Sequence, residues 1–140
     1  MTSTLRVFIV DDELHCRALL RNLLRDVCPE TQIAGETGSV TAAAEALRHT
    51  RPDLLLLDIS LPDGTGFDLL DRSPQPDFRV IFTTAHDEFA LKAFRYSAVD
   101  YLLKPVDPDQ LAESIHKAGR QTPAASWHLQ LAQLRNQNAT

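Results

Sequence analysis

The chain has 140 residues, 14 of them basic and 19 acidic, for a formal net charge of −5, a size that suits one domain with a short appendage. With 44% hydrophobic and 24% charged residues it is too apolar for a disordered chain, and its acidic balance argues against direct binding of nucleic acid or an anionic membrane. Its longest apolar runs, such as Val7 to Val10 and Leu54 to Leu57, are four residues long, which excludes a transmembrane helix, and Met1 to Arg6 carry no secretion signal.

Leu5 to Val10 is a β-rich apolar run and predicts the first strand. Leu14 to Val27 follows with Leu19, Leu20, Leu23, Leu24 and Val27 at helical spacing, a stripe expected to face the core. Cys16 and Cys28 lie on or at the end of that helix, ~18 Å apart along its axis, beyond disulfide reach. They are expected as reduced thiols of a cytoplasmic protein, with no second cysteine or histidine at ligand spacing to make a metal site. Gln32 to Glu36 predicts the second strand and Val40 to His49 an Ala-rich second helix capped by Ser39. The third strand is Leu54 to Leu57, followed by the turn-rich Pro62-Asp63-Gly64-Thr65-Gly66 and a short helix over Phe67 to Asp71. Arg79 to Thr83 is the fourth strand. Glu88 to Tyr96, with Phe89, Ala93 and Phe94 at helical spacing, is the fourth helix. Asp100 to Leu103 is the fifth strand, and Asp107-Pro108-Asp109-Gln110 opens the fifth helix with an Asp cap and a proline at its first position.

Strand and helix alternate five times, which predicts an α/β fold with right-handed crossovers. The expected form is a flavodoxin-like five-stranded parallel sheet, order 2-1-3-4-5, with five helices. Its ligand crevice would lie at the carboxyl ends of strands 1 and 3. The domain is expected to span residues 1–120. Residues 121–140 read as a linker around Pro123 and a short amphipathic stretch carrying Trp127, Leu131 and Leu134.

The chemistry gathers at the strand ends. Asp11, Asp12 and Glu13 follow the first strand and Asp58 the third, so the proposed fold makes Asp11, Asp12 and Asp58 converge. Two like charges about 4 Å apart repel by roughly 4 kcal/mol at an effective dielectric near 20, so such a set is costly without a cation. Oxygen-only donors suit Mg2+. Asp11 and Asp12 could instead cap the first helix. Asp58, delivered by a buried strand to an open edge, could act as a nucleophile forming an acyl phosphate or could cap a helix. Lys104, before Pro105, would reach the same edge and pair with Asp58 or a phosphoryl oxygen; a cis Lys104–Pro105 bond would fit. Thr84 ends the fourth strand and could donate to that oxygen.

An acidic pair, an Asp, a Thr and a Lys at successive strand ends resemble the receiver domain of two-component response regulators. The resemblance covers about Leu5 to Arg120 and rests on Val10-Asp11-Asp12-Glu13, Leu56 to Gly66, Thr83-Thr84-Ala85 and Asp100 to Pro105. It implies that Asp58 is the phosphoacceptor, that Asp11, Asp12, Asp58 and the Ser60 carbonyl hold Mg2+, that Thr84 and Lys104 contact the phosphoryl group, and that Tyr101 is the switch aromatic. A sensor histidine kinase is the implied partner.

Thr84 to Phe94 further resembles receivers of the LytR/AlgR type, whose partner module is a LytTR DNA-binding domain. No such module follows in these 140 residues, so the chain reads either as truncated or as a receiver that stands alone. A homodimer through the fourth helix, last strand and fifth helix is a further expectation. His86 is expected as a solvated surface residue. In the family its position and that of Ser60 influence dephosphorylation. The competing enzyme reading, a haloacid-dehalogenase-type phosphatase, needs a second Asp where Ser60 stands. An FMN binder would need a Ser-, Thr- and Gly-rich first loop in place of Asp11-Asp12-Glu13.

Overall fold

The computed structural model describes residues 4–73 and 77–120. The expected linker and the Trp127–Leu134 stretch lie outside the described residues. The elements are β1 Leu5–Val10, α1 Leu14–Val27, β2 Thr31–Thr37, α2 Val40–Thr50, β3 Leu54–Leu57, β4 Ser60–Leu61, β5 Gly64–Thr65, α3 Gly66–Asp71, β6 Arg79–Thr84, α4 Ala90–Arg95, β7 Asp100–Leu103 and α5 Pro108–Arg120. The five long strands form one sheet in the order β2-β1-β3-β6-β7, every pair parallel. This is the predicted order, with β6 and β7 as the fourth and fifth strands.

The pleat sorts each strand's side chains onto two faces. Phe8, Val10, Leu55, Leu57, Val80 and Phe82 pack with residues of α2, α3 and α4. Val7, Ile9, Leu54, Leu56 and Ile81 pack with residues of α1 and α5. A run of four leucines is therefore what β3 needs, since both of its faces are covered and all four side chains are fully buried. Truncating one of them to alanine would cost about 2–5 kcal/mol.

The helix starts follow their local chemistry. Ser39 caps α2 by accepting from the Ala42 amide, Thr65 and Asp68 form a reciprocal capping box on α3, and Asp107 Oδ1 accepts from the Asp109 and Gln110 amides at the start of α5.

Three details depart from expectation. Leu19 leaves the buried stripe of α1, at 47% exposure. The loop after Asp58 contains an antiparallel hairpin, Ser60 opposite Thr65 and Leu61 opposite Gly64. The fourth helix spans Ala90–Arg95 rather than Glu88 to Tyr96, with Phe89 as its N-cap.

Candidate functional site: a carboxylate–lysine pocket at the sheet edge

Three backbone hydrogen bonds extend the sheet one residue past its strands. The Asp11 amide donates to the Thr37 carbonyl at 3.1 Å, the Asp58 amide to Val10 at 2.9 Å, and the Lys104 amide to Thr84 at 2.8 Å. The sheet itself therefore aims Asp11, Asp58 and Lys104 from one carboxyl-terminal edge. The Lys104–Pro105 peptide bond is cis.

The Lys104 ammonium lies 2.8 Å from Asp11 Oδ2 and 2.9 Å from Asp58 Oδ2. Asp11 is fully buried and Asp58 is 5% exposed, so each carboxylate would be costly without a counter-charge. Burial works against the lysine charge, but its hydrogen bonds to Asp11 and Asp58 outweigh that and hold its pKa above the ordinary lysine range. Asp58 Oδ1 also accepts from the Ile59 amide at 2.7 Å.

Asp11 does not cap α1, whose N-cap is Glu13. Its Oδ1 accepts from the Glu13 amide at 3.0 Å, which shapes the turn into α1, while its Oδ2 faces Lys104. Asp12 is exposed. Carboxylate oxygens of Asp11, Asp12 and Glu13 lie within 4.8 Å of one another. This oxygen-only donor set fits a hard divalent cation such as Mg2+. Asp58 stands beside that group and is joined to Asp11 through Lys104.

Thr84 is fully buried, and its hydroxyl accepts from the His86 amide at 3.3 Å. The Tyr101 hydroxyl donates to the His86 carbonyl. His86, expected as a solvated surface residue, keeps a 44% exposed side chain, but its ring has partners on both sides. Its Nε2 pairs with Ser60 Oγ at 3.0 Å and its Nδ1 lies 3.2 Å from Glu88 Oε1. Cys16 Sγ lies 3.7 Å from Nε2 of the adjacent His15, a proximity that sequence spacing did not indicate. At 28 and 16 the thiols are free. Burial pushes the Cys28 thiol up to about 11.

Residues 7–116 match the family model described as "Response regulator receiver domain". The chain belongs to the response regulator receiver family. It is 39% identical over 120 residues to "Sensory transduction protein LytT" of Bacillus cereus, covering 84% of this chain and 48% of that one. To "Transcriptional regulatory protein BtsR" of Salmonella typhimurium it is 39% identical over 114 residues, covering 81% and 47%. The chain thus spans about half the length of the curated relatives it matches. The crystal structure of the response regulatory domain of protein mrkE from Klebsiella pneumoniae superimposes with a TM-score of 0.75 at 27% identity, covering 89% of this chain and 99% of that one. The response regulator domain of Thermotoga maritima CheB does so with a TM-score of 0.76 at 25% identity, covering 86% and 99%.

Arg17, Asp63 and Gly66 brace the elements around this receiver's pocket. Arg17 donates to the Asp11 carbonyl at 2.6 Å and to Glu36 Oε1 at 3.0 Å, clamping the acidic turn to β2. Asp63 reaches across from the β4–β5 turn and accepts from the Val40 amide at 2.8 Å and the Thr41 amide at 2.9 Å, capping α2 from outside. Those bonds pull its pKa from 3.8 down to about 2. Gly66 is required by close approach, since a Cβ there would sit 2.6 Å from the Asp58 carbonyl. An acidic residue in a turn and a glycine before a helix are the only local signals for the last two.

Proposed function

We propose that this chain is a phosphorylation switch in which a sensor histidine kinase donates a phosphoryl group to Asp58. The observation that carries the reading is the Lys104 ammonium held against both Asp11 and Asp58 at the edge of a receiver sheet. Asp11, Asp12, Asp58 and the Ser60 carbonyl would hold Mg2+, which supplies positive charge for the phosphoryl oxygens when bound. Asp58 attacks the phosphorus with a carboxylate oxygen while the bond to the donor imidazole breaks. Lys104 releases Asp58 and pairs with a phosphoryl oxygen, so its charge stays compensated throughout. The Thr84 hydroxyl turns from the His86 amide toward the new oxygens. The switch modifies itself and has no separate substrate to turn over. A serine at position 60, bonded to His86, leaves no second aspartate to serve a dehalogenase-type phosphatase.

The signal leaves through the elements that meet Thr84. Tyr101 packs 6.2 Å from Phe82. Phe82 packs 5.0 Å from Phe67, and Phe67 contacts Phe89 and Tyr96 on either side of α4. A shift of the His86 segment therefore reaches α4 through packed rings and biases a two-state balance. Leu91 and Phe94 on α4 and Leu103 on β7 are 67%, 60% and 45% exposed, which supports a homodimer through the face of α4, β7 and α5. The names of the relatives support a transcriptional output carried by a LytTR-type module, with this receiver itself making no contact with nucleic acid. The protein would act in the cytoplasm; no helix among the described residues is long and apolar enough to cross a membrane.

Acetyl phosphate with Mg2+ should add one phosphoryl mass, and Asp58→Asn should abolish it. Full, lasting labelling of the Asn variant would overturn the assignment.

A further inference from the structure

One cluster beside the pocket has no part in that switch. Glu13, His15 and Cys16 surround the start of α1, and one donor atom from each lies within 4.8 Å of the other two. Cys16 Sγ is 3.7 Å from His15 Nε2, and His15 Nε2 is 3.4 Å from Glu13 Oε2. Adjacent residues on a helix do not ordinarily face each other. Here Glu13 is the N-cap, with extended backbone (φ −95°, ψ 119°) and no capping bond of its own side chain, so its carboxylate is free to reach His15.

These separations can be compared with a coordination polyhedron. Zinc bonds of about 2.3 Å to sulfur, 2.0–2.1 Å to imidazole nitrogen and 2.0–2.2 Å to carboxylate oxygen give tetrahedral edges of about 3.6 Å from sulfur to nitrogen and about 3.3–3.4 Å from nitrogen to oxygen. Both measured edges fall within about 0.2 Å of those values, the tolerance expected of a metal site. The donor set shares Glu13 with the Asp11–Asp12–Glu13 group but differs in kind by adding a thiol and an imidazole. Thiolate and imidazole select borderline-soft ions, where carboxylates alone select hard ones.

We propose that Glu13, His15 and Cys16 form a three-ligand site for a divalent ion of the Zn2+ class, with a fourth position open to water. Cys16 and His15 stand on the wall of a cavity of about 310 Å³ whose other sides are Leu19, Leu20, Lys104, Pro105 and Val106. The apolar side of that cavity limits solvent at the sulfur and strengthens the pull between ion and thiolate. Burial pushes the Cys16 thiol up, but a coordinating thiol is deprotonated by the ion itself. The site lies beside the phosphoacceptor pocket, and the proposal does not depend on phosphorylation.

The test is a Co2+ titration of the tag-free 140-residue chain, followed by absorbance. One equivalent should raise a sulfur-to-metal charge-transfer band in the near ultraviolet, and Zn2+ should bleach it. Cys16→Ser should abolish the band. His15→Ala and Glu13→Gln should each weaken Co2+ binding by at least the roughly 10–100-fold that loss of an outer-shell partner costs. The three side chains are exposed or half-exposed, so the variants should fold, and circular dichroism checks this. Binding without the charge-transfer band would mean that only the carboxylates take the ion, and would overturn the proposal. So would a band that survives Cys16→Ser, or one whose affinity is unchanged in His15→Ala and Glu13→Gln.

Discussion

The Tyr101 hydroxyl donates a hydrogen bond to the backbone carbonyl of His86. Because the His86 amide is held by Thr84, one peptide segment is gripped from both the pocket and the last strand. Tyr101→Phe keeps the ring against Phe82 and removes only the bond, worth about 1 kcal/mol. Amide hydrogens of His86 to Phe89 should exchange roughly fivefold faster. Unchanged exchange there would mean that the bond does not restrain the segment.

Lys104→Ala should be strongly destabilising, by about 3 kcal/mol in urea unfolding, because it leaves Asp11 and Asp58 buried with no counter-charge. Adding Asp11→Asn to that variant should recover a large part of the loss. Additive losses from the two substitutions would show that the lysine does not bridge the two carboxylates.

Asp63 gives the domain an acid-sensitive tie. Its folded pKa lies near 2, below the ordinary 3.8, so its contribution is present in full above about pH 4 and is lost as pH falls toward 2. The stability gap between the native chain and Asp63→Asn should be greatest near neutral pH and close over that window. Denaturant melts across the range measure it, and a gap independent of pH would remove the capping role.

Gly66→Ala places a methyl group 2.6 Å from the Asp58 carbonyl and 3.0 Å from Leu57 Cγ. The backbone must yield, at about 1–3 kcal/mol. The amide resonances of Asp58 and Ile59 should shift with the loss of stability. Resonances that stay in place would mean that the loop relaxes elsewhere.

The inner strands are legible in the sequence because β1, β3 and β6 carry the apolar runs Val7 to Val10, Leu54 to Leu57 and Val80 to Phe82, covered on both faces. The starts of α2 and α5 were legible because Ser39 and Asp107 act within three residues of themselves. What stayed hidden depends on groups far apart in the chain. Ser60 meets His86 across the mouth of the pocket, and Asp63 caps a helix that begins at Val40, neither of which any local pattern encodes. The fourth helix, Ala90–Arg95, is two residues shorter at its start and one shorter at its end than the expected Glu88 to Tyr96, because Glu88, Phe89 and Tyr96 suit a helix on spacing alone. Leu19 satisfies the helical stripe of α1 but lies at its margin, where the wall beside Pro105 and Val106 leaves it half open. The approach of Cys16 to His15 has no signal in the spacing, because neighbours on a helix diverge as a rule and this approach occurs in the first turn.

Among the described residues, the order of the sheet leaves β7 hydrogen-bonded on one side only, to β6. Yet this strand carries Tyr101, and Lys104 directly follows it. An inner strand such as β3 could not slide without disrupting ladders on both flanks. A strand at the margin has a single row of bonds to adjust, so a change in what Lys104 holds can be passed along four residues of backbone while β1 and β3, which position Asp11 and Asp58, keep their register. The pocket is thus divided between Asp11 and Asp58, set at the ends of inner strands, and Lys104, set at the end of a marginal one.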